Sequence, residues 1–83
     1  MKFHEAVAVE LSKARILHAN INSAHEGYAV ILEELDEFFE EVRKKRDDRD
    51  LLHMMKELIQ ISAMAQRTAE DVLEPMLIGT SRP

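Results

Sequence analysis

The chain has 83 residues, a formal net charge of −5 at pH 7 and no cysteine. This length allows one small domain with a marginal core of its own, and the absence of cysteine excludes disulfides and thiolate metal sites. The negative charge argues against a nucleic acid polymer as partner, because binding a polyanion requires a basic face.

The composition favours helices, because aromatic residues make up only 5% and there are two glycines and two prolines. Apolar residues at three- and four-residue steps predict a first helix over about residues 3–19. This stripe consists of Phe3, Val7, Leu11, Ala14, Leu17 and Ile21. Ser23 and Glu26 have the spacing of a capping box, which predicts that a second helix begins at Ala24.

The second helix is predicted over residues 24–45, because nothing in that stretch breaks it. Residues 46–50 form the predicted turn, where Asp48 or Asp50 can cap a third helix. That helix is predicted over residues 51–73 and should end before Glu74-Pro75, since proline disfavours helix in the preceding residue. We expect residues 74–83 to be a tail that frays or docks on a partner.

Apolar residues almost encircle the third helix, so more than one side of it must be covered. Two neighbouring helices of the same chain are too few for this purpose. We therefore expect homo-oligomerisation, as a dimer or a tetramer, with second and third helices packing across the interface. No apolar run approaches the roughly 20 residues needed to cross a bilayer, and no signal peptide is apparent. The expected location is the cytoplasm, without membrane association.

The second helix carries a dense acidic face. Glu34, Glu37 and Glu41 lie within about two turns on one side, where like charges repel. On the third helix, Glu57 and Gln60 share a face. If the two helices pack antiparallel, three carboxylates and an amide oxygen converge, and Mg²⁺ takes such hard oxygen ligands. The alternative interpretation is a solvated acidic face without a metal.

Residues 33–37 and 57–60 also carry the two halves of a family motif. The stretch from His25 to Val72 resembles the MazG-like all-α nucleoside triphosphate pyrophosphohydrolases, which include dimeric dUTPases and phosphoribosyl-ATP pyrophosphohydrolases. Their motif is E-E-x-x-E on one helix and E-x-x-D on the next. Residues 33–37 match the first half and, after nineteen intervening residues, 57–60 match the second except at its last position. The flanking residues are similar to small phage-type members.

The resemblance implies that Glu34, Glu37 and Glu57 are metal ligands, with Gln60 in the place of the family's aspartate. Glu33 would orient or deprotonate the attacking water. The family uses Mg²⁺, for which Mn²⁺ can substitute, to cleave a nucleoside triphosphate between its α- and β-phosphates, which releases a monophosphate and pyrophosphate. The implied fold is an all-α, three-helix chain that forms a four-helix-bundle core through homo-oligomerisation.

Gln60 is the main departure from the motif, because an amide brings no charge and should weaken or remove one metal position. Asp71 lies on nearly the same face but about 16 Å further along the axis, so only the partner subunit's Asp71 could approach. Lys56 and Arg67 are candidate phosphate contacts. His53 is a candidate contact to substrate or to a ligated water.

Three functions remain open from the sequence. The first is a Mg²⁺-dependent nucleoside triphosphate pyrophosphohydrolase. The second is a non-catalytic helical oligomerisation module of the same fold with a degenerate metal site. The third is an adaptor that binds another protein through exposed apolar helix surface.

Overall fold

The computed structural model describes residues 1–81 and is all-helical over that range. Three main helices are joined by short connections, and the third continues through a π-helical turn into a fourth. The elements are α1 (Phe3–Leu17), α2 (Ala24–Val42), a 3₁₀ turn (Arg46–Asp48), α3 (Leu51–Thr68), a π-turn (Ala69–Leu73) and α4 (Glu74–Ser81). The predicted all-α class is confirmed.

The starts of α2 and α3 agree with the predicted caps. Ser23 Oγ accepts a hydrogen bond from the Glu26 amide at 3.1 Å. Asp50 Oδ1 accepts one from the His53 amide at 3.0 Å. Each cap satisfies an amide that has no partner within its own helix, which fixes where that helix begins.

Both α1 and α2 pack on α3. The hairpin of α2 and α3 is antiparallel, because Gly27 near the start of α2 lies against Thr68 at the end of α3. At the opposite end, Glu41 Oε1 accepts a hydrogen bond from the Asp50 amide at 2.8 Å. The core is thin: its buried apolar residues are Val7, Ala14, Ile21, Ala63 and Met64. No large side chain among the described residues is fully buried.

Two helices end earlier than the sequence predicted. α1 ends at Leu17 rather than about residue 19, because Arg67 Nη2 donates to Ala19 O at 2.8 Å and draws that carbonyl toward α3. α2 ends at Val42 rather than residue 45, where Arg49 Nη2 donates to Val42 O at 2.5 Å. In both cases an arginine side chain from outside the helix donates to a carbonyl near the helix end.

The predicted end of the third helix before Glu74 is wrong, because residues 74–81 are helical. Residues 82–83 of the predicted tail lie outside the described range. Proline normally clashes with the carbonyl four residues earlier. Here the π-turn precedes Pro75, and the Glu74 amide donates to Ala69 O, five residues back. In this wider turn the backbone carbonyls before Pro75 are offset from their positions in a regular α-helix. The proline ring is therefore accommodated, and the chain stays helical. Over residues 1–81, no helix has both the length and the apolar character to cross a bilayer.

Candidate metal centre

Three carboxylates from two helices converge on one point. Glu34 and Glu37 come from α2 and Glu57 comes from α3, and one oxygen of each lies within 4.8 Å of the others. Glu34 and Glu37 are nearly one turn apart, so they share a side of α2. The antiparallel hairpin then brings Glu57 to their level.

Glu57 is the buried member of this cluster, with 6% of the residue exposed. Its Oε1 lies 3.6 Å from His53 Nε2, one turn earlier on α3. Its Oε2 is buried and has no hydrogen-bond partner among the described residues. An unpaired buried acceptor is costly, and a carboxylate oxygen more so, unless a proton or a cation sits against it.

Proximity alters the acidity of the other two carboxyls. Burial, the hydrogen bond that a protonated Glu34 would donate to Glu57 and the neighbouring negative charges raise the pKa of Glu34 to about 8. The pKa of Glu37 is also raised, chiefly by the hydrogen bond that a protonated Glu37 would donate to Glu57 and by the charge of Glu57. Without a cation, the cluster holds a proton at neutral pH that an ordinary glutamate would have lost.

The geometry of the cluster fits a small hard cation. Mg²⁺ binds oxygen at about 2.1 Å, so two oxygens on opposite sides of one ion are about 4.2 Å apart. The oxygens of Glu34, Glu37 and Glu57 lie within 4.8 Å of one another, so small rotamer changes would bring them into range. Mn²⁺ suits the same carboxylate ligands.

A cleft of about 510 Å³ adjoins this cluster. It lies between α1 and α2, with α3 as its floor and the α1–α2 loop at one end. Its walls include Glu10 and Lys13 from α1, Glu33 and Glu34 from α2, and Gln60 and Arg67 from α3. The volume falls within the range of small-molecule sites. Glu34 belongs both to the cleft and to the carboxylate cluster, so a ligand in the cleft would reach the cluster.

The other site residues predicted from the sequence lie at different places relative to the cleft. Glu33 is exposed on the cleft wall, next to Glu34. Arg67 is buried at the loop end of the cleft, and its Nε has no hydrogen-bond partner within residues 1–81. Lys56 lines a different, shallow hollow between α1 and α3, so it is not placed to contact a ligand in the cleft. His53 lies beside Glu57, as its spacing on α3 predicted.

Gln60 faces α1 rather than the hairpin. Its Nε2 donates to Glu10 Oε1 at 2.6 Å. Glu10 is not among the site residues predicted from the sequence. One signal for it exists: Glu10 comes three residues after Val7 and four before Ala14, on the buried stripe of α1 where an acid is unusual.

Asp71 lies away from the cluster, and both its oxygens already have partners. Arg15 Nη1 donates to Oδ1 at 2.8 Å, and the Ile21 amide donates to Oδ2 at 2.9 Å. Burial alone would raise the pKa of Asp71, but these hydrogen bonds and the Arg15 charge outweigh it and hold the pKa below its usual value. Through these hydrogen bonds, Asp71 connects the π-turn to α1 and to the α1–α2 loop.

Replacing Asp71 by asparagine should lower the free energy of unfolding at pH 7 by about 1–2 kcal/mol, because hydrogen bonds to a charged group are lost. A carboxylate with a depressed folded pKa stabilises the protein above its unfolded pKa of about 3.9 and loses that effect as the pH falls through the folded value. Urea unfolding at several pH values would measure the free energy of unfolding of wild type and Asp71→Asn. The difference between the two should be constant near neutrality and shrink below about pH 4. A difference that does not change with pH would contradict the charge argument.

Comparison with known proteins adds no further constraint. No family model, curated protein or solved structure matches this chain. The likeness to MazG-like enzymes therefore stays a prediction, and the case for function depends on the carboxylate cluster and the adjoining cleft.

Proposed function

We propose that this protein is a Mg²⁺-dependent nucleoside triphosphate pyrophosphohydrolase, with Mn²⁺ as a substitute ion, that releases a nucleoside monophosphate and pyrophosphate. One observation carries the proposal. Glu57 Oε2 is buried without a partner beside Glu34 and Glu37, at the edge of a cleft of about 510 Å³. A divalent cation would satisfy that oxygen, and the cleft has room for a nucleotide.

The residues have distinct roles in this proposal. Glu34, Glu37 and Glu57 would hold the ion, which would supply positive charge against the phosphates and against the charge that develops on the leaving group. Glu33 stands on the cleft wall beside Glu34, where it would accept a proton from the attacking water. The water oxygen would form a bond to the α-phosphorus as the bond from that phosphorus to the oxygen bridging the α- and β-phosphates breaks. Glu33 would take the proton of the water, and pyrophosphate would leave with the bridging oxygen.

Arg67 contributes at the other end of the cleft. It follows Glu57 by ten residues on the same helical rod, which places it about 15 Å along the axis. That separation exceeds the length of a triphosphate held at Glu57. Arg67 would therefore meet the sugar or base rather than the phosphates, with its unpartnered Nε as a donor.

We also propose that two or more copies assemble through the α2–α3 hairpin. Tyr28, Leu35 and Phe39 share one side of α2, and all are exposed. Leu51 and Leu58 are likewise exposed on the side of α3 opposite the cleft floor. Pairing two such hairpins would bury both stripes in a four-helix bundle. It would also supplement the thin core of the single chain.

The exposed apolar stripes equally favour a second candidate, a non-catalytic assembly module. In that case the hairpin pairs as described, but the acidic cluster has no catalytic role. The two candidates differ in their response to divalent ions and nucleotides.

The deciding experiment incubates the protein with each of the eight common ribo- and deoxyribonucleoside triphosphates plus Mg²⁺ or Mn²⁺. Ion-exchange chromatography then separates the products, and sedimentation gives the oligomeric state of the same sample. We expect monophosphate and pyrophosphate from at least one nucleotide. We expect neither from a Glu34→Ala/Glu37→Ala control.

Orthophosphate with a diphosphate as products would contradict cleavage between the α- and β-phosphates. No turnover from a folded oligomer with any nucleotide or ion would overturn the enzyme proposal and favour the assembly module.

A further inference from the structure

Arg67 brings a positive charge into the cleft wall without an acidic partner. The residue is 5% exposed and lines the cleft near the α1–α2 loop. Its Nη2 donates to Ala19 O at 2.8 Å, and its Nη1 lies 3.5 Å from Met64 Sδ, a weak acceptor. Its Nε is buried and has no hydrogen-bond partner in the described part of the chain. None of the ion pairs among the described residues includes Arg67.

The chain itself makes little use of this charge. Burying a cation costs free energy unless an acid or other acceptors compensate it. Asp71 is four residues further along, but its two oxygens already accept hydrogen bonds from Arg15 and from the Ile21 amide. Holding the loop through Ala19 O does not need a charge, because a neutral amide can also donate to a carbonyl. The guanidinium therefore indicates a cleft ligand that brings hydrogen-bond acceptors.

The position of Arg67 determines which part of a nucleotide it would meet. It lies about 15 Å along the helix axis from Glu57. Glu34, which belongs to the carboxylate cluster, lines the same cleft. With the phosphates at that cluster, the sugar and then the base would extend toward Arg67. A purine extends further from its sugar than a pyrimidine, so its far edge is the better fit to this separation.

A group that only donates hydrogen bonds discriminates between bases by their edges. Guanine presents two adjacent acceptors, O6 and N7, and arginine donating to both is the commonest specific contact to a base in DNA complexes. Adenine has N7 beside an amino group, which is itself a donor, and thymine and uracil offer the single acceptor O4 at the corresponding edge. Cytosine has two adjacent acceptors elsewhere, but one of them lies beside the bond to the sugar. Guanine is therefore the base that matches Arg67.

We propose that Arg67 binds the O6 and N7 edge of a guanine base, so that guanine nucleotides are the substrate class of the cleft. The base acceptors replace the weak contact of Nη1 with Met64 Sδ, while the bond from Nη2 to Ala19 O keeps the guanidinium in place. This inference rests on the proposed function, because the base lies at Arg67 only if the phosphates lie at the carboxylate cluster.

The test measures binding of nucleoside triphosphate analogues that carry a methylene group between the α- and β-phosphates and so resist the proposed cleavage. Isothermal titration calorimetry with Mg²⁺ compares the guanosine, adenosine, cytidine and uridine analogues. A fifth analogue contains 7-deazaguanine, in which carbon replaces N7. The protein variant is R67K, which keeps the charge but loses the planar arrangement of donors.

R49K is the matched control for R67K. Arg49 Nη2 also donates to a carbonyl at a helix end, that of Val42, and its Nε is likewise buried without a partner within residues 1–81. Arg49 does not line the cleft. The same substitution there makes the same chemical change away from the proposed base site.

We expect the wild type to bind the guanosine analogue about tenfold more tightly than the adenosine analogue, on the scale of one bidentate contact to a base. The 7-deazaguanosine analogue should lose most of this advantage. R67K should bind the guanosine and adenosine analogues alike, and R49K should keep the wild-type preference. The 7-deazaguanosine comparison uses the wild type, so it decides the question even where R67K fails to fold.

The outcomes separate this inference from the proposed function. If the wild type neither binds an analogue nor hydrolyses a nucleotide, the proposed function is wrong and the inference falls with it. If nucleotides are hydrolysed without a preference for guanine, or if R67K keeps that preference, the inference alone is wrong. Equal binding of the guanosine and 7-deazaguanosine analogues, or tighter binding of the cytidine analogue, would also overturn it.

Discussion

Replacing Glu57 by glutamine should abolish the stabilisation of the protein by Mg²⁺. Saturation at about 100 times the dissociation constant stabilises a folded protein by about 2.7 kcal/mol, which raises the melting temperature of so small a domain by on the order of 10 °C. Glu57→Gln removes the buried, unpartnered carboxylate oxygen on which the proposed site depends. The variant should melt at the same temperature with and without Mg²⁺, and nucleotide hydrolysis should fall by about 100-fold or more.

The same variant should be more stable than the wild type in the absence of metal. The negative charge of Glu57 contributes to raising the pKa of Glu34 to about 8. A carboxyl whose folded pKa is raised makes the folded state lose stability as the pH rises from the unfolded pKa toward the folded one. Neutralising Glu57 relieves part of that loss, so the metal-free variant should melt above the metal-free wild type at pH 8.

Glu40→Gln is the matched control, because it removes the same charge from an exposed residue of α2 that pairs with Arg43 at 3.5 Å. It should keep the full response to Mg²⁺ in differential scanning calorimetry. An equal Mg²⁺ response from Glu57→Gln and the wild type would show that this cluster does not bind the ion.

The carboxylate cluster was predictable because it depends on local rules. The spacing of Glu34 and Glu37 fixes their shared face, and the short connection after α2 forces an antiparallel partner. Those two constraints bring Glu57 to the same level, as the structure has it. The all-helical class followed from composition and periodicity in the same way.

The pairing of Glu10 with Gln60 was not predictable, because it depends on how α1 crosses α3. No periodicity along one helix encodes that crossing, and the two residues are 50 positions apart in sequence. The burial of Arg67 has the same origin, since its partner Ala19 O lies in a loop. The helix through Pro75 required a π-turn, which has no reliable signal in sequence.

Substituting valine for Gly27 should reduce the free energy of unfolding by about 3 kcal/mol, at the upper end of overpacking costs. A Cβ on Gly27 would overlap Thr68 Cγ2 and would lie 2.6 Å from Thr68 Oγ1. The threonine cannot turn away cheaply, because its Oγ1 donates to Met64 O at 2.8 Å. The two helices would have to separate where the hairpin closes.

Gly79→Val is the matched control, since a Cβ on Gly79 meets no atom within 4 Å in the part of the chain that the structure describes. This substitution should change the free energy of unfolding, measured with urea, by no more than about 0.5 kcal/mol. The combination of Gly27→Ala with Thr68→Ala should be more stable than the sum of the two single changes predicts, because the second removes the atoms that the first strikes. If the losses in free energy of unfolding are additive, Gly27 is needed for its own backbone conformation rather than for the close approach of α3. The level of Glu34 against Glu57 depends on that approach, so the non-additive result would link this glycine to the geometry of the carboxylate cluster.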